Sequence, residues 1–191
     1  MEAWSPILAD FREFPDNGGM PFAYFARLSA ARQRVYRRSD AIEAVAVPPG
    51  FAAGGIVAAL RAALAAEDPR DVQARCQELT DALVAALGVP PVRIVVMARR
   101  PSDDYGELHG LYEPEDAGRS ARITVWMRTA RREQVVAFRS FLRTLVHEWC
   151  HHLDYELYRL PETFHTEGFY KRESSLANLL LAQEAQAGAP G

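Results

Sequence analysis

The chain has 191 residues, 49% of them hydrophobic and 25% charged, with 12 glycines, 12 prolines and a formal net charge of −3. Apolar content is ample for a core and no low-complexity tract dominates, which excludes collagen-like, mucin-like and wholly disordered chains. The mild acidity gives no whole-molecule attraction to nucleic acid or to an anionic membrane, so neither is expected as a partner.

Two cysteines, Cys76 and Cys150, are too few for a disulfide framework and lack the paired spacing of a zinc ribbon. A reducing setting is expected, and the N-terminus lacks the basic and apolar regions of a secretory signal, so the expected compartment is cytoplasmic. The longest apolar stretch, Gly54 to Ala66, is alanine-rich and interrupted by Arg61, too weakly hydrophobic to span a bilayer.

In chain order, residues 20–46 carry helix-favouring residues with apolar spacing at Phe22, Phe25, Leu28 and Val35, and Arg27, Arg32, Arg34, Arg37 and Arg38 read as a solvated face. Val47-Pro48-Pro49-Gly50 breaks the chain, and a short helix follows over 51–66. The next helix is punctuated by Asp68 as N-cap, Pro69 at its first position and Gly88 beyond its end; Val72, Cys76, Leu79, Leu83 and Leu87 share its apolar face. After Pro90-Pro91 the period changes, and Val92 to Met97 reads as a buried strand. Gly106 to Tyr112 suits an edge strand beside Pro114, and Ile123 to Met127 is another strand. Thr129 is the expected cap of a long helix over 130–160, stopped by Pro161, and a final helix spans 167–182. Helices, three grouped strands and two more helices make an α+β chain. The organisation expected is an N-terminal helical region, 1–88, packed on a core, 89–191.

Inside the long helix stands His147-Glu148-Trp149-Cys150-His151. Histidines four apart on a helix point the same way, so both imidazoles can meet one zinc ion, and the glutamate between them can take a proton from water that the ion activates. Phe138, Phe141, Leu142 and Leu145 upstream give the helix a face to bury against a sheet. The candidate metal ligands are therefore His147 and His151, with Glu148 as general base.

A third ligand must come from elsewhere. Asp154 and Leu157 stand where a metzincin would have glycine and histidine, and Asp154, one turn beyond His151, is carried away from the metal and reads as an acceptor behind the ligands. His152 faces another side. Past Pro161, His165 is favoured because an imidazole brings no second charge beside Glu148; Glu167 and Glu173 are its rivals. Tyr112, Tyr155, Tyr158 and Tyr170 are candidate oxyanion donors, with packing the simpler role for each. His109, on the edge strand, is placed where an extended peptide could pair.

The pattern of His147 to His151 followed by His165 and, four residues on, Phe169 resembles the SprT-like and WLM-type zinc metallopeptidases over about 92–180. The resemblance implies a zincin-like core of about three strands plus an active-site helix, Zn2+ held by His147, His151 and His165, Glu148 as catalytic base, and a protein or peptide substrate. Thr166 stands where that group often has glycine, and there is no cysteine-rich ribbon, so DNA-linked substrates are not implied. The alternatives are a zinc-binding regulatory or sensor protein with little proteolytic activity and, from the arginine-rich N-terminal helix, a nucleic-acid-associated module.

Overall fold

The computed structural model describes residues 22–103, 106–116 and 118–188; the first 21 residues of the expected N-terminal region and the last three of the core lie outside that range. The order is a 3-10 turn (Ala23–Arg27), α1 (Ala30–Asp40), α2 (Gly54–Ala65), α3 (Pro69–Leu87), β1 (Arg93–Arg99), a ribbon of β2 (Ser102–Asp103) and β3 (Gly106–Glu107), β4 (Gly110–Glu113), β5 (Arg122–Arg128), α4 (Phe138–Glu156) and α5 (Glu167–Ala187). The main sheet has the order β1-β5-β4, with β1 parallel and β4 antiparallel to β5. This is an α+β arrangement with a small mixed sheet.

Several helix ends follow directly from local chemistry. Asp68 accepts from the main-chain N–H groups of Arg70 and Asp71, Pro69 opens α3, and Gly88 closes it in the left-handed conformation at φ 64°. Val72, Cys76, Leu79 and Leu83 are buried along that helix. The N-terminal region is shorter in helix than the spacing predicts: a 3-10 turn, Ser29 as N-cap and only 11 residues of α1 replace one helix over 20–46. The side chain of Ser29 accepting from Arg32 N supplies a local start that interrupts the longer pattern.

The long helix also begins later than expected. Thr129 does not cap it; Thr129 N donates to Gln134 O and Val136 N donates to Met127 O, so residues 129–136 fold back beside β5 and α4 starts at Phe138. Its last turn closes at Glu156, four residues short of the expected end at 160; Arg159 then takes a left-handed φ of 50° and Leu160 N reaches back to Asp154 O. Pro161 disfavours α geometry at the residue before it, and that early turn swings the chain back toward the histidines.

A further correction concerns Val92 to Met97. β1 lies at the edge of the sheet, and although Val92 and Ile94 are buried, Met97 is 49% exposed. An apolar run cannot distinguish a central strand from an edge strand; β5 is the central one, buried from Ile123 to Met127. Helix α3 packs along β1, α4 on β4 and β5, and α2 between α3 and α5, while α1 lies against α5. Buried side chains from α2, α3, the sheet, α4 and α5 form one hydrophobic cluster, and Trp149 Nε1 donates to Thr80 Oγ1 across it at 3.1 Å.

Candidate metal centre

Helix α4 is buried on every side around its middle, because it lies between the sheet and α5. His147 and His151 therefore project from one buried face, and the chain reversal at 157–166 returns His165 to them. His165 Nε2 lies 3.0 Å from His147 Nε2 and 3.1 Å from His151 Nε2, and one donor atom from each ring falls within 4.8 Å of the other two. Tetrahedral coordination of zinc at about 2.0–2.1 Å puts ligand nitrogens roughly 3.4 Å apart, so the spacing fits a small divalent cation among the three rings.

Two of the rings are held from behind, and the third residue is held through its main chain. His147 Nδ1 is 2.9 Å from Glu173 Oε2, and Arg143 donates to the other oxygen of that carboxylate at 3.1 Å. His151 Nδ1 is 2.8 Å from Thr163 Oγ1, which donates to Asp154 Oδ2 at 2.6 Å. Tyr24 donates its hydroxyl to the carbonyl oxygen of His165 at 3.1 Å. Beneath all three lies Phe169, fully buried, with ring centroids 5.0, 4.8 and 5.1 Å from those of His147, His151 and His165. Thr166 is the N-cap of α5, accepting from Phe169 N, which fixes that phenyl ring one turn after His165.

Electrostatics favour neutral ligands at two positions. Burial, reinforced by the neighbouring His147, holds His165 down to about 3 and His151 well below the usual histidine range. At His147 burial acts in the same sense, but the hydrogen bond to Glu173 and the nearby carboxylates outweigh it and hold its pKa above the ordinary value.

Glu148 sits 5% exposed beneath β4. Burial pushes its carboxyl up to about 7, against the pull of His147 and a hydrogen bond from the main-chain N–H of Tyr112. Gly110 makes room for it: a Cβ at that position would overlap the Glu148 carboxylate. The edge strand thus touches the candidate base through both a small residue and a main-chain donor.

The rival ligands take other roles. Glu173 backs His147, and Glu167 pairs with Lys171 at 2.9 Å. Asp154 lies behind His151, as its place one turn along the helix predicts, and His152 turns away to Tyr112 Oη at 3.2 Å and Pro90 O at 3.0 Å. Among the tyrosines, Tyr170 stacks on His165 with centroids 5.8 Å apart, whereas Tyr112 is engaged with His152. Cys150 and Cys76 are free and buried. Sequence reasoning missed Thr163, Arg172, Tyr24 and Gly110, none of which belongs to a pattern of fixed spacing with the histidines.

The chain matches no family model, no curated protein and no solved structure. Among the described residues no helix is long and apolar enough to cross a membrane.

Proposed function

We propose that the protein is a zinc-dependent peptidase with a zincin-like core, similar to the SprT-like and WLM-type enzymes, acting in the cytoplasm on a protein or peptide substrate. The observation that carries the reading is the convergence of His147, His151 and His165 beside a buried Glu148 under an edge strand. A site of three histidines has the ligand number of catalytic zinc, whereas structural zinc is closed by four, and this favours the enzyme over the sensor reading.

When bound by these three rings, zinc supplies Lewis acidity and brings the ionisation of water near neutrality. Glu148, with its pKa near 7, is matched to accept a proton from attacking water and return it to the leaving amine. Glu173 holds the proton on His147 Nδ1, so that Nε2 remains the donor toward the metal. Phe169 keeps solvent from the underside of the rings, and β4 offers main chain beside the base.

Metal analysis of the purified protein, paired with a peptide-library cleavage profile, tests the proposal. One zinc per chain, lost in His165→Ala and retained in Glu167→Ala, together with cleavage that a chelator abolishes and zinc restores, is the expected outcome. A metal-free protein that takes up no zinc on titration would sink it.

A further inference from the structure

Two of the three rings are held by different devices. His147 meets a carboxylate directly, which can only accept when ionised. His151 meets a hydroxyl, and a hydroxyl can either donate or accept. Were Thr163 to donate to Nδ1, a neutral His151 would carry its proton on Nε2 and present no lone pair to a cation.

The ambiguity is removed one bond farther out. Asp154 Oδ2 takes the Thr163 proton at 2.6 Å, so Oγ1 is left to accept and His151 Nδ1 to donate. Asp154 Oδ1 is engaged by Arg172 Nη2 at 2.5 Å, both side chains being wholly buried. The guanidinium can only donate, which makes the carboxylate its acceptor. Arg172 is fastened in turn to the carbonyls of Ser39 and Ile42 at 2.8 and 3.0 Å and to Ser39 Oγ at 2.9 Å. These groups lie at the carboxyl end of α1, where unpaired carbonyls and the helix dipole favour a cation.

We infer that Arg172, Asp154 and Thr163 form a positioning relay, anchored on the carboxyl end of α1, that imposes on His151 the tautomer whose Nε2 lone pair faces His147 and His165. The importance of the relay for metal binding rests on the reading of the three histidines as a metal site; the tautomer does not. The three residues supply no donor to the cluster. They act through His151, and with Asp154 ionised beside the buried guanidinium the direction of every bond between Arg172 and His151 follows. The relay also gives the N-terminal helix a part in the site, since the buried guanidinium needs the α1 carbonyls as much as it needs Asp154.

The test uses the full chain. Zinc titrations give affinity, and nitrogen-15 NMR of the metal-free protein reads which nitrogen of His151 carries the proton. Thr163→Val removes the hydroxyl at nearly constant shape, and Thr163→Ser restores it. In Asp154→Asn, Arg172 keeps the amide oxygen, so the amide nitrogen turns to Thr163, donates to it and frees the hydroxyl proton for His151 Nδ1. Thr163→Val and Asp154→Asn are each expected to weaken zinc binding about 10- to 100-fold, as loss of such supporting partners does, with Thr163→Ser close to the wild type. His151 should carry its proton on Nδ1 in the wild type and shift toward Nε2 in Asp154→Asn. Wild-type affinity in Thr163→Val, an equal loss in Thr163→Ser, or an Nε2 proton in the wild type would overturn the relay. A wild-type chain that shows the Nδ1 tautomer yet binds no zinc would overturn the metal reading and leave the tautomer assignment standing.

Discussion

The two edges of the main sheet are treated in opposite ways. Along β1 the outward main-chain groups are sealed by side chains of α3: Gln73 accepts from Val96 N and donates to Ile94 O, each at 2.8 Å, while Gln77 accepts from Ile94 N at 2.9 Å and donates to Val92 O at 3.2 Å. Each glutamine amide takes the place of a peptide group of a missing strand. Along β4 the corresponding donor at Tyr112 goes to Glu148, the candidate base. An exposed strand edge invites pairing with another chain, and the protein closes that possibility at β1 while directing the β4 edge to its site. Sheet edges carry strong unpaired hydrogen-bonding groups, so a fold with two of them can make one a structural seam and the other a functional rim.

The strongest way to break the comparison is at the β4 side. Glu148→Gln keeps the shape and leaves the three histidines intact, so zinc should remain stoichiometric while hydrolysis falls by about 10²-fold or more, as expected for loss of a general base. Cleavage assays on metal-replete protein check this, and undiminished turnover would remove Glu148 from the mechanism. Gly110→Ala should cost about 10- to 100-fold in kcat, because the new Cβ displaces the Glu148 carboxylate and small misplacements of a reacting group carry penalties of that order. Zinc affinity should be unchanged in that variant, since no ligand is touched.

A third prediction concerns pH. The Glu148 carboxyl is raised by burial from its ordinary 4.5 to about 7, so ionising it costs more in the folded chain than in the unfolded one. That penalty is absent below about pH 4.5, grows as pH rises and is complete above about pH 7. Metal-free Glu148→Gln should therefore melt above the metal-free wild type at pH 8, by about 3 kcal/mol in stability, and the gap should narrow toward pH 5. A gap independent of pH would show that the carboxyl is not raised.

The smallest effect belongs to the sealed edge. Gln77→Ala removes two hydrogen bonds from β1 and should lower stability by about 1–2 kcal/mol with kcat unaltered. Combining it with Gln73→Ala should expose the whole outer edge and promote association, detectable by light scattering. A monodisperse double variant with wild-type stability would show that the glutamines do not protect the edge.

How far the molecule was legible varied with the range of the interaction. His147 and His151 are four residues apart on one helix, so their common face follows from the α-helical repeat alone. The ends of α3 were equally readable, since Asp68, Pro69 and Gly88 act within one turn of themselves. The start of α4 was not: Thr129 is an acceptable N-cap, but the return of residues 129–136 along β5 wins, and that competition depends on a strand not adjacent in the helix pattern.

By itself, the sequence determined the chemistry available, an α+β chain with a paired-histidine helix and a short list of third donors, because spacing and side-chain type are local properties. The tertiary structure alone decided which donors meet. It brings His165 across an 18-residue separation to His147, puts Glu173 behind His147 instead of among the candidate ligands, and joins α1 to His151 through Arg172, whose partner carbonyls lie about 130 residues away in the chain. Such contacts are fixed by how buried layers pack and by the need of every buried charge for partners, and no periodicity along the chain records either.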